Sequence, residues 1–569
     1  MPTIPTKRPP GWLADQPLGP QILAAALWEG NASPNTIGQR AVAWMKSVAR
    51  PVSDVTVALE AIAWAQGLPF LRNILESEDW LALAELLSSL PAEVDRQTLQ
   101  DQPLIHQLLA GELAWTLARR LTDAPLSGRL KKSGRAAISL GLSQILDRQG
   151  MLPAEHFHKL RPLLACWTRC RVLAGGLSSG GLGSRSEQQY QRLVRNALRC
   201  NRPSGWPLLA AEDSESWGGK GRAGKPDVHK RGSWGRDLFE AVLQSSLEGI
   251  NHSLAAVALP NLSPGFVAKP PKKAADLPPA SIHWEEGSIA VLRRNWNRDD
   301  ERIAVLFAGQ TCEIELVSSA RVAVSGAWLF EITQQGQLLQ PVSDWESSCW
   351  YSDEDVDYLE LEIELTGNVK LQRQIVLARE DRFLLLADTL ISPQCGDLKY
   401  RTVLPLAPNV QFLEAKESRE GLLMFDRAAT AGKKSAASAR PLAQVMPLGM
   451  PEWRAEQYPG ELKAIPAGLE LRQSTAGRRL FAPLFIDLDR SRFRRRMTWR
   501  QLTVAESLAI VPSDTAVGFR VAIGDEQWIL YRALGGRANR TLLGHNLATE
   551  SLIARFGKDG EITSIVEIE

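Results

Sequence analysis

Near residue 281 the spacing of apolar residues changes from a helical interval to alternation, so the two halves of the chain cannot share one architecture. Upstream, Ile105, Leu109, Leu113 and Leu117 recur every fourth residue. Leu83, Leu86, Leu87 and Leu90 follow a three-four pattern, as do Val55, Leu59 and Ile62, with Ser53 and Asp54 as capping candidates. Further helices are expected near 21–29, 37–48, 134–148, 156–175, 186–199 and 236–256, in Leu- and Ala-rich sequence with few β-branched runs. No fixed repeat period emerges, which argues against a regular solenoid. Helical hairpins packed side by side, as a bundle or an incomplete α/α toroid, fit better.

Downstream, Ile289 to Arg293, Arg302 to Phe307, Glu313 to Val317, Phe383 to Asp388, Gly518 to Ile523 and Trp528 to Arg532 read as strands. Leu359 to Leu365 alternates strictly, which predicts one buried and one wet face. The expected fold class is α+β and multidomain. It comprises a toroid-like helical domain over 1–262, a Pro- and Lys-rich linker over 263–280, and a large antiparallel β-sandwich over 281–569. Residues 428–440 read as a loop.

Charge and cysteine content narrow the function classes. Basic and acidic residues number 66 and 64, a net charge of +2, which gives no reason to propose nucleic acid or a membrane as partner. No run reaches the roughly 18 apolar residues of a membrane span. The opening Met1-Pro-Thr-Ile-Pro-Thr-Lys-Arg lacks the apolar stretch of an export signal, so a cytoplasmic protein is expected. The six cysteines form no Cys-x-x-Cys pair. Cys166 and Cys170 fall on one helix face and read as small core residues, and neither a metal nor another cofactor is expected.

The β half carries a resemblance. Gly287-Ser-Ile-Ala-Val-Leu-Arg-Arg-Asn-Trp is followed by Ile303-Ala-Val-Leu-Phe-Ala-Gly. Val356-Asp-Tyr and Leu371-Gln-Arg-Gln-Ile-Val-Leu-Ala-Arg-Glu-Asp-Arg-Phe-Leu-Leu-Leu-Ala-Asp come later. Over roughly residues 285–390 this resembles the C-terminal domain of heparinase II/III-like polysaccharide lyases, with Arg293, Trp296, Gly309, Arg373 and Asp388 at the matching positions. The resemblance implies an α/α toroid joined to a β-sandwich. It also implies β-elimination on uronic-acid polysaccharides, with an acidic polysaccharide as partner.

Such chemistry needs a group that neutralises the uronate carboxylate, a base for the adjacent proton and an acid for the leaving oxygen. The resemblance implies Tyr and His as base and acid. The nearest match to the family's helical-domain stretch is Gly183-Ser-Arg-Ser-Glu-Gln-Gln-Tyr-Gln, which makes Tyr190 the catalytic candidate and Glu187 a substrate-binding one. The acidic residue before the glycine and the histidine after the tyrosine are replaced. The His-x-His-x-Asp cluster that the family places after the glycine is replaced by Gln310-Thr-Cys-Glu-Ile-Glu, and no histidine lies between His283 and His545. His229 and His252 are the remaining imidazole candidates. Arg293, Arg294 and the loop bearing Trp217, Arg222 and Trp234 are candidates for holding the sugar. The alternative is a catalytically silent chain of the same fold that serves as a scaffold for a glycan or a protein partner.

Three further stretches resemble known signals without matching them. Gly219-Lys-Gly-Arg-Ala-Gly-Lys-Pro nearly spells a phosphate loop, but Pro226 replaces the hydroxyl residue and no apolar strand precedes it. The glycines of 175–183 follow a helix rather than a strand and lack dinucleotide-binding spacing. Arg490-Ser-Arg-Phe-Arg-Arg-Arg-Met-Thr-Trp-Arg reads as a charged sheet edge, with Arg492, Arg494 and Arg496 on one face.

Overall fold

The computed structural model describes residues 33–122, 124–174, 181–202, 204–210, 234–246, 248–259, 277–297, 301–426 and 439–569. The chain divides into two compact units. The first spans Met1–Pro207 and Glu215–Pro278, and the second spans Leu208–Ser214 and Pro279–Glu569.

The first unit is helical. Its principal helices include Pro34–Ser47, Val55–Leu71, Ser77–Ser89, Ser127–Gln144, Leu160–Leu173, Ser184–Arg199, Trp234–Ser245 and Gly249–Ala258. Asp54 caps Val55–Leu71 by accepting from the Thr56 amide, as the sequence predicts. The every-fourth-residue stretch from Ile105 to Leu117 is buried as expected, but it does not run as one α-helix. A π-helical segment, Gln107–Leu113, interrupts it. The wide turn is held by the fully buried Gln107, whose Oε1 accepts from the Trp167 indole at 2.9 Å while its Nε2 donates to the Ala137 carbonyl at 3.1 Å. Cys166 and Cys170 are buried. Among the described residues no helix is long and apolar enough to cross a membrane.

The second unit is built of antiparallel sheets. A five-stranded meander runs through Ile282–Trp284, Ile289–Arg293, Arg302–Ala308, Thr311–Ser318 and Arg321–Ala327. An eleven-stranded sheet is centred on the long strands Phe383–Leu404 and Gly468–Asp487. A second five-stranded sheet uses Met497–Leu502, Ala516–Ile523, Glu526–Ala533, Ser551–Phe556 and Ile562–Ile568.

Two separate cores sandwich the large sheet. Leu359, Leu361, Ile363, Leu384 and Leu386 pack with Ile303, Val305 and Leu316 of the meander. The opposite parity, Val356, Tyr358, Phe383 and Leu385, packs with Phe519, Val521, Trp528 and Leu530 of the other sheet. The expectation of one wet face along Leu359 to Leu365 fails at Glu360 and holds from Glu362 onward. Tyr358 is fully buried and Glu360 is 6% exposed, and the polar face begins to open at Glu362 and is exposed at Glu364. Beyond Tyr358 the strand alternates because one side stays in an apolar core and the other becomes a buried polar layer. There Glu360 accepts from Tyr358 at 2.6 Å and pairs with Arg532 at 3.1 Å.

The basic run at 490–500 also differs from its expectation. Residues 490–494 form a turn, and the strand begins at Met497. Arg492 is 1% exposed, donates to both Asp487 oxygens and Glu526, and lies 4.9 Å from the Trp528 ring. A buried cation needs partners, and the two carboxylates together with the aromatic face provide them. Arg494 and Arg496 are exposed.

Candidate functional site

In the helical unit, three helices meet at Tyr190. The residue lies on Ser184–Arg199 and has no exposed surface. Its hydroxyl is 2.8 Å from Thr168 Oγ1 on Leu160–Leu173 and 3.4 Å from Ser245 Oγ at the end of Trp234–Ser245. A hydroxyl has one proton to give. Thr168 gives its own to the Leu164 carbonyl at 2.6 Å, and Ser245 gives its own to the Val242 carbonyl at 2.9 Å. The phenol is therefore the donor in this cluster, and its proton is held by Thr168.

The ring is held as firmly. The Arg171 guanidinium stands 4.4 Å from its centroid and is itself fixed by two hydrogen bonds to Glu187, at 2.7 and 3.1 Å. Glu187 also accepts from Gln191 at 2.7 Å. Gln191 Oε1 in turn accepts from Ser246 at 2.7 Å and from the buried Asn251 at 3.0 Å. His252, next along Gly249–Ala258, is half-buried. Thus Tyr190 and Glu187 are brought together through Arg171, as parts of a packed polar layer. Sequence reasoning missed Arg171, Thr168 and Ser245, because only the packing of three helices brings them to the tyrosine.

Of the remaining candidates, Trp217, Arg222 and His229 lie outside the described residues. Trp234 is the first residue of Trp234–Ser245, and its side chain is likewise outside them.

In the β unit, Arg293 ends the strand Ile289–Arg293 and is 1% exposed, with its guanidinium 4.4 Å from the Trp296 ring. Arg294 donates to the Arg379 carbonyl at 2.7 Å and lies 3.9 Å from Glu301. Gly309 occupies the turn between Arg302–Ala308 and Thr311–Ser318 with φ +54°, a conformation that favours glycine.

Arg373 and Asp388 are cross-strand partners, joined by two hydrogen bonds of 2.8 and 2.9 Å with neither side chain exposed. Trp328 lies 3.7 Å from the guanidinium and Trp345 5.1 Å. Tyr400 donates to Asp388 at 2.5 Å. Burial and the neighbouring Asp388 charge push the Tyr400 phenol well above its ordinary range, so it remains a donor. The matched positions of the β half are thus an internal ion pair, a stacked arginine and a turn.

Both outlying histidines of this unit have structural settings. His283 packs between Phe307 and Trp350, at 6.0 and 5.4 Å, and burial lowers its basicity. His545 Nε2 contacts the Gly560 carbonyl at 2.9 Å. Among the described residues no three His, Cys, Asp or Glu side chains converge as a metal site.

No protein-family model matches the sequence, and no curated protein sequence matches it. Solved structures do. A heparinase III aligns with 90% of this chain and 81% of its own at a TM-score of 0.58 and 12% identity. A mutant of the heparan sulfate lyase HepC from Pedobacter heparinus aligns with 91% of this chain and 81% of its own, at 0.55 and 11%. At such identities the likeness concerns architecture. It extends over both the helical and the antiparallel units, so the chain has a polysaccharide lyase-like fold of the heparinase III type.

Proposed function

We propose that the protein engages an acidic, uronate-containing polysaccharide through this fold and holds it without β-elimination. The polysaccharide class rests on the structural neighbours, which are named as a heparinase and a heparan sulfate lyase. The non-cleaving part rests on one observation: Tyr190, the candidate acid or base, has no exposed surface and its proton is given to Thr168. A general base or acid must come within hydrogen-bond reach of the substrate proton, and a group enclosed on all sides does not.

Incubation of the folded protein with heparin, heparan sulfate, chondroitin, hyaluronan and alginate tests the reading. The expected result is retention on an immobilised acidic glycan with no rise in ultraviolet absorbance from unsaturated uronate. A growing absorbance overturns the non-cleaving reading, and failure to retain any of the glycans overturns the polysaccharide reading.

Elimination through His252 is the second reading. It is favoured by the half-buried setting of that imidazole beside Asn251, which is bonded into the Tyr190 layer through Gln191. In that case the absorbance signal disappears in His252→Gln while Tyr190→Phe retains it.

A further inference from the structure

The β unit contains a second concentration of arginines that the sequence scatters. The loop after Val410–Glu414 and the loop after Ala439–Pro447 lie against each other. The Arg419 amide donates to the Glu452 carbonyl at 2.9 Å, and the Arg454 amide donates to the Glu417 carbonyl at 2.9 Å. Each arginine then sends its side chain into the opposite loop. Arg419 Nη1 donates to the carbonyls of Pro451 and Trp453, and its Nη2 donates to that of Glu456. Arg454 Nε donates to the carbonyls of Ser418 and Ala415, at 2.8 and 3.3 Å.

These contacts fix the guanidiniums without neutralising them equally. Arg454 has Glu414 at 3.0 Å, and Arg472 shares Glu470 with Arg401. Arg419 is 8% exposed, and among the described residues no carboxylate forms an ion pair with it. Burial and then the like charge of Arg454 lower its basicity, an effect that Glu456 offsets only in part. A guanidinium has five N–H groups. Three of those on Arg419 are used, so two keep no protein acceptor among the described residues.

Arg419, Arg454 and Arg472 line one open cavity of about 430 Å³ with Pro459, Gly460 and Leu462. That size is in the range of small-ligand clefts. Glu461 also lines it and pairs with Lys463 at 2.5 Å. Trp453 belongs to the same loop and is 47% exposed, an uncommon state for so large an apolar side chain.

We propose that this cavity is a subsite for the sulfate or carboxylate of an acidic sugar, with Arg419, Arg454 and Arg472 receiving the anion. Planar guanidiniums suit oxyanions because two N–H groups match two oxygens. An exposed indole on the same loop supplies an apolar face for a sugar ring. The proposal rests on the polysaccharide reading for its choice of a sugar-borne anion, while the anion site itself stands on the arginines.

The test is titration of the whole protein with a sulfated heparin disaccharide, and separately with inorganic sulfate, followed by calorimetry. Arg472→Gln is the main variant, because Glu470 keeps Arg401 as its partner and the sheet is preserved. Trp453→Ala removes the exposed aromatic, and Arg494→Gln in the 490–494 turn is the control for general positive charge. Unchanged circular dichroism establishes that each variant is folded.

The disaccharide is expected to bind more tightly than sulfate. The Arg472→Gln variant is expected to bind it about tenfold more weakly, the cost of one charge-assisted contact, with the Arg494→Gln control unchanged. Equal weakening by both variants overturns the subsite, since the attraction would then be diffuse. Disaccharide binding no better than sulfate overturns the sugar part. No binding of either ligand overturns the subsite even if polymeric glycans are retained, and a glycan-free result with sulfate bound overturns the polysaccharide reading instead.

Discussion

Replacing Tyr190 by Phe removes one hydroxyl from the centre of the helical unit, and the structure sets how much that costs. The phenol donates to Thr168, but Thr168 and Ser245 both keep their own donor bonds to backbone carbonyls. Neither is left with an unsatisfied proton. The loss is therefore that of one ordinary internal hydrogen bond, about 0.5–1.5 kcal/mol, rather than the larger penalty of orphaning a buried donor. The aromatic ring stays, and Arg171 keeps both its face-on partner and its bonds to Glu187. Truncation to Ala is different in kind, because a fully buried ring leaves a cavity, at roughly 3–5 kcal/mol. Urea unfolding followed by the helical circular-dichroism signal separates these magnitudes, since helices belong to the first unit. The Phe variant should unfold slightly earlier and retain glycan unchanged. A loss near that of the Ala variant would refute the hydrogen-bond assignment. A parent that cleaves glycan, with a Phe variant equally stable but inactive, would refute the placement of Tyr190 as a packing residue.

Two other perturbations test the β unit. Asp388→Ala strips the counter-charge from Arg373, which has no exposed side-chain surface, and should destabilise this unit by about 3–5 kcal/mol, read by the shift of its unfolding midpoint. Glu470 supplies a pH signature. Burial raises its carboxyl, but the Arg401 hydrogen bond and the charges of Arg472 and Arg401 outweigh this and hold it below the ordinary 4.5. A carboxyl depressed in the folded state contributes stability above its ordinary value, and that contribution is lost as pH falls through the folded value. Glu470→Gln should therefore be less stable near neutrality and show a shallower loss on acidification. The expected cost is toward the low end of roughly 1.5–3 kcal/mol, because Arg401 and Arg472 are 34% and 52% exposed. Equal acid sensitivity in both proteins would remove Glu470 from the account.

The helical and antiparallel halves were legible because burial imposes a period on the chain, and Leu113 or Leu361 reports its own face. The wet face expected beside Leu361 was misread for a physical reason. Glu360 and Glu362 look alike in sequence, yet the first is 6% exposed against Arg532 and the second borders solvent. A charged residue in a strand signals water unless a distant partner neutralises it, and the partner is invisible locally. The same holds for Arg492, which local sequence groups with Arg494 and Arg496 although two carboxylates bury it. Tyr190 was found by its place in a motif, but a tyrosine carries the same letter at a cleft wall and in a core. Arg419, Arg454 and Arg472 form no run, and only the apposition of two loops and a strand gathers them.

The large sheet with a core on each side makes residue parity an address. Along Val356–Leu365, positions 359, 361, 363 and 365 are delivered to one core, while 356 and 358 are delivered to the other. Inserting or deleting a single residue there would exchange the deliveries, sending Glu360 among leucines and Leu361 among arginine and glutamate. An ordinary one-sided sheet can hide such an error by turning its spare face to water, but these strands have no spare face along most of their length. Length changes in this unit should therefore be confined to its turns, and its strands should change by substitution alone.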